Sequence, residues 1–303
     1  MILSAVINTW NEEKNLRRVL SSIKDYVDEI VIVDMESKDK TLDIAREFDA
    51  KIWSHPYLSY VEPARNFAIN KAQGQWILLL DADEEMTKDM CVRLGRLISH
   101  GVYDYYRLPR KNIIFGKWIS HSGWWPDYQI RLFKKGSVVW QDEIHSIPIT
   151  QGKGIDLRAE EKNAIIHYHY ENVSQYLERL NRYTSEEAKE LIKSGHHFDW
   201  KNLIQKPISE FLSRFFVWEG YKDSLHGLAL SILQAVSFFI VQLKVWEADE
   251  DFQDTKSINL LDSVWQLLNK AKKDFNYWYH VKKSQQGIKM KKYVHKLLAK
   301  FRL

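Results

Sequence analysis

The chain has 303 residues, and its 44 Lys and Arg against 40 Asp and Glu give a formal net charge of +4. Its hydrophobic content of 45% is ordinary for a globular protein, and its length allows one large domain or two small ones. A single cysteine, Cys91, excludes a disulfide framework and a cysteine zinc cluster and suits a reducing cytosol. The opening residues lack the basic segment of a signal peptide, so we expect a buried first strand there.

The first 83 residues alternate between strand and helix patterns. The predicted strands are LSAVINTW (3–10), EIVIVDM (29–35), KIWSHP (51–56) and WILLLDAD (76–83). The predicted helices are EEKNLRRVLSSIKDY (12–26), DKTLDIAREFDA (39–50) and YVEPARNFAINKAQG (60–74). This order predicts an α/β fold with a mostly parallel sheet and helices on both faces. Neither the dinucleotide fingerprint nor the P-loop motif occurs in the chain.

Acidic residues follow the apolar part of several predicted strands. Glu12, Asp34 and Asp81 close three of them, and Asp83 lies two residues beyond Asp81, on the same side of an extended chain. The carboxyl ends of parallel strands meet at one edge, where ligands bind. Convergent carboxylates there are suited to Mg²⁺ or Mn²⁺. The alternative is a solvated acidic turn that opens a helix near residue 87, but three acidic strand ends at equivalent positions favour the metal site.

Four segments, in order, carry a resemblance to a known family: AVINTWNEEKNLRRVLSSI, EIVIVDMESKDKTLDIA, ARNFAINKAQGQWILLLDADE and WPDYQIRLFKKG. They resemble the successive motifs of family-2 glycosyltransferases of the GT-A fold. The closest likeness is to the bacterial subgroup that includes lipopolysaccharide-core β-glucosyltransferases. The resemblance implies a Rossmann-like, mostly parallel sheet followed by a helical C-terminal region. It divides the chain into a nucleotide-sugar-binding half (1–110), an acceptor-side half (111–204) and a helical, membrane-associated region with a basic tail (205–303).

The resemblance places a nucleotide sugar, usually a UDP-sugar, at the edge of this sheet. Six side chains are implied to line the donor pocket: Thr9, Asn11, Glu12, Asp34, Ser37 and Arg65. Carboxylates accept hydrogen bonds from ribose hydroxyls and from the base, and a guanidinium pairs with phosphate. For Glu12 and Asp34 the alternative is helix capping and compensation of the helix dipole.

Asp81 and Asp83 match the D-x-D motif of the family. The resemblance implies that Asp83 contacts Mn²⁺ or Mg²⁺ directly, while Asp81 reaches the ribose or metal-bound water. A cation there neutralises the departing pyrophosphate. The next two acids, Glu84 and Glu85, are expected to face solvent at the start of a helix. His167, in the segment IIHYHY, matches a histidine of the family that supports the metal or diphosphate; the alternative is a structural histidine.

The candidate general base is Asp127, in the segment HSGWWPDYQIRLF. Its position resembles the acidic motif on the acceptor side of inverting GT-A enzymes, and Trp124 and Trp125 offer faces to a sugar or a lipid-linked acceptor. The alternative is a structural turn with buried tryptophans. A rival base is Glu143, because relatives carry a hydrophobic-His-Glu triplet where this chain has Ile-His-Ser at 144–146.

Two features near the C-terminus point to a membrane. Leu225–Leu243 contains no Asp, Glu, Lys or Arg, and we expect it to lie in the membrane interface; the alternative is a buried helix. Lys282–Leu303 holds eight Lys and Arg and no acid, which fits an anionic lipid surface. Nucleic acid is the other polyanion that such a tail binds, but no nucleic-acid module accompanies it.

The sequence therefore predicts a metal-dependent, inverting glycosyltransferase on the cytoplasmic face of a membrane, attached as a peripheral or monotopic protein. It would move a sugar from a UDP-sugar to a membrane-associated glycan or lipid-linked acceptor, as in the synthesis of lipopolysaccharide or cell-surface glycans. Two alternatives stay open. One is a polyprenyl-phosphate glycosyltransferase, whose phosphate acceptor needs no base. The other is an inactive membrane-associated scaffold that binds glycan or nucleotide, against which the intact D-x-D motif argues.

Overall fold

The computed structural model describes residues 2–58, 61–141, 147–250, 252 and 259–286. The chain forms two compact units. Unit 1 comprises residues 1–118 and 124–169, and unit 2 comprises residues 119–123 and 170–303. The division predicted from the resemblance, at 110/111 and 204/205, concerns function and stays a prediction.

The first half of unit 1 contains every strand and helix that the sequence predicts. Its strands are β1 (Leu3–Thr9), β2 (Glu29–Asp34), β3 (Lys51–Ser54) and β4 (Trp76–Asp81). Its helices are α1 (Leu16–Ile23), α2 (Thr41–Glu47) and α3 (Glu62–Lys71). The strands are parallel and lie side by side in the order β3-β2-β1-β4.

Both faces of this sheet are buried. Alternate residues of β1 point to opposite sides, so that Ile7 packs with Leu16 and Leu20 of α1, whereas Val6 packs with Ala68 of α3. Burial on both faces explains why these strands are apolar throughout and do not alternate with polar residues.

The strand ends meet as predicted. Thr9 is paired with Asp34 across β1 and β2, and Asn8 is paired with Asp81 across β1 and β4. The carboxyl ends of three neighbouring strands therefore lie at one edge of the sheet, and the predicted convergence of their polar residues is confirmed.

The second half of unit 1 extends the sheet with mostly antiparallel strands, while two of its strands, β9 and β10, form a separate pair. In chain order the elements are β5 (Glu84–Met86), α4 (Lys88–His100), β6 (Tyr105–Ile114), β7 (Lys117–Trp118), β8 (Tyr128–Lys134), β9 (Val138–Val139), β10 (Ile149–Thr150), β11 (Gly154–Asp156) and β12 (Ile165–Tyr170). The sheet continues from β4 in the order β8-β6-β12-β5. The mixed sheet with flanking helices confirms the predicted α/β fold class.

Unit 2 is helical over its described residues after β12. Its helices are α5 (Val173–Lys193), α6 (Asn202–Leu212), α7 (Ser224–Glu250) and α8 (Leu260–Gln286). Helix α7 packs on α5 and α6, and α8 packs on α6. Most of the basic tail, from residue 287 onward, lies outside the described residues.

The apolar segment Leu225–Leu243 lies within α7. By length and composition, the stretch 220–249 is the one described segment that would be able to cross a membrane. Leu230, Val241 and Val245 of this helix are buried, whereas much of its remaining surface is not. One side of α7 is thus part of the core of unit 2.

Candidate functional site

The loops that follow β1 and β2 are tied together by polar side chains. The hydroxyl of Thr9 donates to Oδ1 of Asp34 (3.1 Å), and Oδ2 of Asp34 accepts the backbone N–H of Ser37 (2.9 Å). The hydroxyl of Ser37 in turn accepts the backbone N–H of Asn11 (2.8 Å). The structure therefore brings together four of the six predicted donor-pocket residues, and the Thr9 hydroxyl orients the Asp34 carboxylate.

Glu12 contacts the neighbouring helices. Its backbone N–H donates to the hydroxyl of Thr41 (2.8 Å), and Oε2 accepts from the side-chain amide of Asn15 (2.9 Å). The backbone carbonyl of Glu12 also accepts the N–H of Asn15 and of Leu16, at the start of α1. These contacts favour the structural alternative for Glu12, and its predicted place in the pocket stays a prediction.

An aromatic pair that the sequence analysis did not single out lies beside these loops. Trp10 directly follows β1, its ring centroid is 4.6 Å from that of Tyr57, and both side chains are exposed. Exposed aromatic faces are surfaces on which planar bases and sugar rings stack. The available sequence signal was an aromatic residue at the end of a buried strand.

Three arginines surround the first carboxylate of the D-x-D motif. Arg65 of α3 donates to Oδ1 of Asp81 (2.7 Å), and Arg131 of β8 donates to Oδ2. Arg131 also contacts Glu84 (2.7 Å), and Arg110 of β6 lies 3.4 Å from Glu84 and 3.9 Å from Asp81. Burial raises the pKa of Asp81, but the three guanidinium charges outweigh it and hold this pKa far below its usual range. Asp81 therefore stays ionised and balances the arginines.

The expected position of Glu84 and Glu85 is wrong. Both lie on β5, which pairs with β12 before the next helix begins, and that helix is capped by Thr87. Glu84 is fully buried, and its Oε2 accepts the backbone N–H of Asp81 (3.0 Å). Glu85 is half-buried and accepts from the hydroxyl of Tyr168 (2.8 Å). Removing one partner of a buried ion pair costs about 3–5 kcal/mol, so Glu84 is a structural anchor of the site.

Asn112 determines which nitrogen of His167 carries the proton. The side-chain amide nitrogen of Asn112 donates to the carbonyl of Trp124 (2.9 Å) and to Oδ2 of Asp127 (3.0 Å). Its amide oxygen therefore faces Nδ1 of His167 (2.6 Å), and since this oxygen only accepts, Nδ1 donates. The other ring nitrogen, Nε2, lies 3.5 Å from Oδ1 of Asp83.

The Asp83–His167 pair fits a divalent cation. In this tautomer Nε2 presents a lone pair toward a carboxylate oxygen, and both side chains are buried. No group of three or more His, Cys, Asp or Glu with a metal-binding arrangement occurs among the described residues. A cation at this pair would therefore have two protein ligands, one carboxylate and one imidazole, and substrate phosphates and water would complete its shell. Both oxygens of Asp81 contact arginines, and the predicted contact of Asp81 with the metal stays a prediction.

Asp127 belongs to the same hydrogen-bonded network. Its Oδ2 lies 2.7 Å from Nη2 of Arg110, and its Oδ1 accepts from Gln129 (3.0 Å). Burial raises the pKa of Asp127, but the charge of Arg110 and the hydrogen bonds from Asn112, Arg110 and Gln129 lower it more. The carboxylate stays ionised well into the acid range and is linked through Asn112 to His167.

The remaining acceptor-side predictions are only partly within the described residues. Trp124 and Trp125 are half-buried, and each makes an edge-on ring contact, with His169 and Trp118 respectively. The rival base Glu143 and the triplet 144–146 lie outside the described residues.

Comparison with known proteins places these residues in a family context. Residues 4–155 match the family model "Glycosyl transferase family 2". An uncharacterized glycosyltransferase of Rickettsia typhi is 30% identical over 285 residues, which cover 89% of this chain and 97% of that protein. The lipopolysaccharide core biosynthesis glycosyltransferase LpsC of Rhizobium meliloti is 24% identical over 254 residues, or 81% and 92% of the two chains.

Among solved structures, S. aureus TarS 1-349 in complex with UDP is similar to this chain with a TM-score of 0.42 and 16% identity. The alignment covers 86% of this chain and 95% of that one. The matched family segment 4–155 contains every predicted site residue except His167.

Proposed function

The chain belongs to glycosyltransferase family 2 and is a glycosyltransferase, and on that premise we propose that it is metal-dependent and inverts the anomeric centre of a UDP-sugar. The proposed acceptor is a membrane-associated glycan or lipid-linked sugar. The observation that carries the proposal is the pair of Asp83 and His167, whose Oδ1 and Nε2 atoms face each other at 3.5 Å beside the strand ends. The similarity to a lipopolysaccharide core glycosyltransferase supports a glycan acceptor.

The nucleotide is proposed to bind at the loops after β1 and β2. The Asp34 carboxylate, held by Thr9 and Ser37, is suited to accept hydrogen bonds from ribose or base donors. The exposed rings of Trp10 and Tyr57 offer the base an apolar face. The diphosphate would then lie toward Asp81, where the guanidinium groups of Arg65 and Arg110 would pair with phosphate oxygens in competition with their present carboxylate partners.

Asp83 and His167 would hold the divalent cation, Mn²⁺ or Mg²⁺. When bound, such an ion supplies Lewis-acid stabilisation to the leaving diphosphate. The ion pairs of Asp81 with Arg65 and Arg131 support a different role for this carboxylate, namely holding two guanidinium groups beside the diphosphate. Glu84, buried behind them, keeps Arg131 and Arg110 in place.

Asp127 is proposed to be the general base. In a single displacement the acceptor oxygen bonds to the anomeric carbon, its proton passes to Asp127, and the diphosphate leaves with the bonding electrons; this inverts the anomeric centre. Arg110 contacts Asp127 and also lies near Glu84. A bound diphosphate competes for this guanidinium, and the basicity of Asp127 rises when Arg110 turns away.

The contact between Arg110 and Asp127 predicts a pH effect. We expect Arg110→Gln to move the acid limb of kcat/KM to higher pH, because the variant lacks the Arg110 charge that lowers the pKa of Asp127. Burial, which raises this pKa, is then opposed only by the hydrogen bonds from Asn112 and Gln129. Below that pKa the base is protonated and inactive, so the wild type retains activity at a lower pH than the variant. The matched control is Arg107→Gln, on the same strand but paired with Asp156 at the surface. An acid limb at the same pH in Arg110→Gln and wild type would contradict the assignment.

The proposed function is tested by screening nucleotide sugars in a thermal-shift assay with and without Mn²⁺. A UDP-sugar at 100 times its Kd stabilises the folded protein by about 2.7 kcal/mol, and we expect this increase in Tm to require the metal. Release of UDP from the selected donor then distinguishes an enzyme from an inactive scaffold. Equal Tm increases with Mn²⁺ and with EDTA would refute metal dependence, and binding without UDP release would indicate the scaffold.

Attachment to the cytoplasmic face of a membrane is also part of the proposal. The apolar composition of α7 and the basic sequence after Gln286 support it. The buried side of α7 packs within unit 2.

A further inference from the structure

Helix α8 has an exposed apolar stripe. Leu261 is 81% exposed, Trp265 is 65% exposed, and Leu268 and Tyr279 are each 47% exposed. At 100° per residue these four positions fall within about 60° of one another around the helix axis. Large apolar side chains are normally removed from water, at a gain of about 1.5–3 kcal/mol each when fully buried, so several of them exposed on one face of a helix mark a binding surface.

A second face of α8 packs against α6. Ala271 is buried, and together with Leu267 and Trp278 it lines a cavity whose far wall is formed by Ile208 and Leu212 of α6. Counted at 100° per residue, these three α8 positions lie about 90–130° from the centre of the stripe. The helix therefore has two apolar faces, one packed on α6 and one exposed to solvent.

The exposed stripe is cationic. Lys272 and Lys283 fall within the same 60° or so as the apolar residues. The acids of the helix, Asp262 and Asp274, lie at least about 60° outside it. The chain that follows α8, residues 287–303, adds six Lys and Arg and no acid. Tryptophan, tyrosine, leucine and lysine together are the residues of a membrane interface.

We propose that α8 lies flat on an anionic lipid surface through the stripe from Leu261 to Lys283. The stripe is about 33 Å long, so the helix would touch lipid along most of its length, with Leu261 and Trp265 inserted between headgroups. Lys272 and Lys283 provide the charge that matches anionic headgroups. This assignment rests on the membrane association proposed above and adds which helix makes the contact.

Helix α7 serves as the comparison. It also exposes apolar side chains, among them Leu225, Ile232, Val236 and Phe239. These positions carry no lysine and no interfacial tryptophan or tyrosine. Burial of an uncharged apolar stripe contributes the same free energy on neutral and on anionic lipid. Such a stripe therefore does not select the anionic surface, whereas the lysines of α8 do.

Flotation of the full-length protein with vesicles tests the proposal. The vesicles are of phosphatidylcholine alone or with phosphatidylglycerol. We expect Leu261→Ser/Trp265→Ser to weaken binding to the anionic vesicles roughly tenfold or more. Lys272→Gln/Lys283→Gln should weaken it by about thirtyfold at low salt and leave weak binding to neutral vesicles unchanged. The matched control is Ile232→Ser/Val236→Ser on α7, for which we expect wild-type binding.

Two outcomes would overturn the proposal. In the first, both α8 variants bind anionic vesicles like wild type. In the second, the α7 variant loses binding while the α8 variants keep it, which would assign the contact to α7. Circular dichroism and Tm of each variant exclude loss of fold as the cause of weaker binding.

A fluorescent probe gives an independent readout of which face touches lipid. Burial raises the pKa of the single native thiol, Cys91, to about 12, and this keeps it unreactive toward labelling reagents. A cysteine introduced by Leu268→Cys lies on the stripe, whereas one introduced by Gln266→Cys lies about 100° beyond its edge at Trp265. We expect an environment-sensitive label to shift to the blue with anionic vesicles at 268 and not at 266. Equal shifts, or none at either position, would contradict the proposal.

Failure of this proposal can be separated from failure of the proposed function. Release of UDP from a UDP-sugar in vesicle-free buffer measures the reaction without lipid, and the α8 variants should match wild type in it. If wild type releases no UDP from any donor but still binds anionic vesicles through α8, the enzymatic proposal fails and the membrane contact stands.

Discussion

Asp83→Asn is expected to lower kcat by roughly a thousandfold. A metal ion at a leaving diphosphate contributes several kcal/mol of stabilisation, and each 1.36 kcal/mol corresponds to a factor of ten in rate. Asparagine keeps the shape of the side chain but loses the charge that would pair with a cation beside His167. The measurement is UDP release at increasing Mn²⁺, together with the donor-dependent increase in Tm, which the variant should lose.

The control for this variant is Asp89→Asn. Asp89 belongs to the same acidic stretch but is exposed in the first turn of α4, where losing its charge costs only about 0.3–1 kcal/mol of stability. It should retain wild-type kcat. Turnover in Asp83→Asn within a few-fold of wild type would contradict the assignment of a metal site to Asp83 and His167.

Asp127→Asn is expected to reduce turnover by roughly 10²- to 10⁴-fold, the usual contribution of a general base. Donor binding should stay nearly unchanged, because the base acts on the acceptor hydroxyl. Arg110 keeps Glu84 and Asp81 as acidic neighbours in this variant, which limits its effect on stability. The measurements are kcat for sugar transfer and the thermal shift with UDP-sugar.

Glu143→Gln, made in parallel, distinguishes the two candidate bases and should retain turnover if Asp127 is the base. A loss of donor affinity as large as the loss of turnover would show that Asp127 does not act as base. Turnover retained in both variants would favour the alternative of a phosphate acceptor, which needs no base.

The donor edge of the sheet could be predicted from the sequence because its determinants are local. Apolar runs defined β1, β2 and β4, and the parallel order of a βαβ unit then required their polar ends to lie together. The register of Thr9 with Asp34 and of Asn8 with Asp81 confirms this reasoning. The family resemblance, confirmed by the match over residues 4–155, rests on the same segments.

The arginine cluster could not be predicted in this way. Arg131 contacts Asp81, which is 50 positions away in the sequence, and Arg110 contacts Glu84, which is 26 positions away. Nothing in a local pattern distinguishes these buried charges from exposed ones. The three residues of β5 look like the acidic first turn of a helix, and only pairing with β12, about 80 positions later, buries Glu84.

For helices α7 and α8, composition alone could not predict which face of each helix is buried. Composition identified Leu225–Leu243 as apolar but did not reveal that Val241 and Val245 pack within unit 2. The stripe of α8 could not be predicted from composition, because the apolar and charged residues of this helix together give the average hydrophobicity of an ordinary polar segment. Separating two faces of one helix requires knowing which face a neighbouring helix covers.

The strand that follows the D-x-D motif orders the backbone at Asp83 before any ligand binds, which lowers the entropic cost of binding. Ala82 and Asp83 form a two-residue bridge between β4 and β5, and the carbonyl of Asp83 accepts the backbone N–H of Tyr168 (2.9 Å). Ordering one residue of free backbone costs about 1–2 kcal/mol. Since the sheet has already met this cost when the chain folds, the carboxylate is held in position before any ligand arrives. The interaction energy of an incoming ion and diphosphate is then available for affinity and does not have to order a loop.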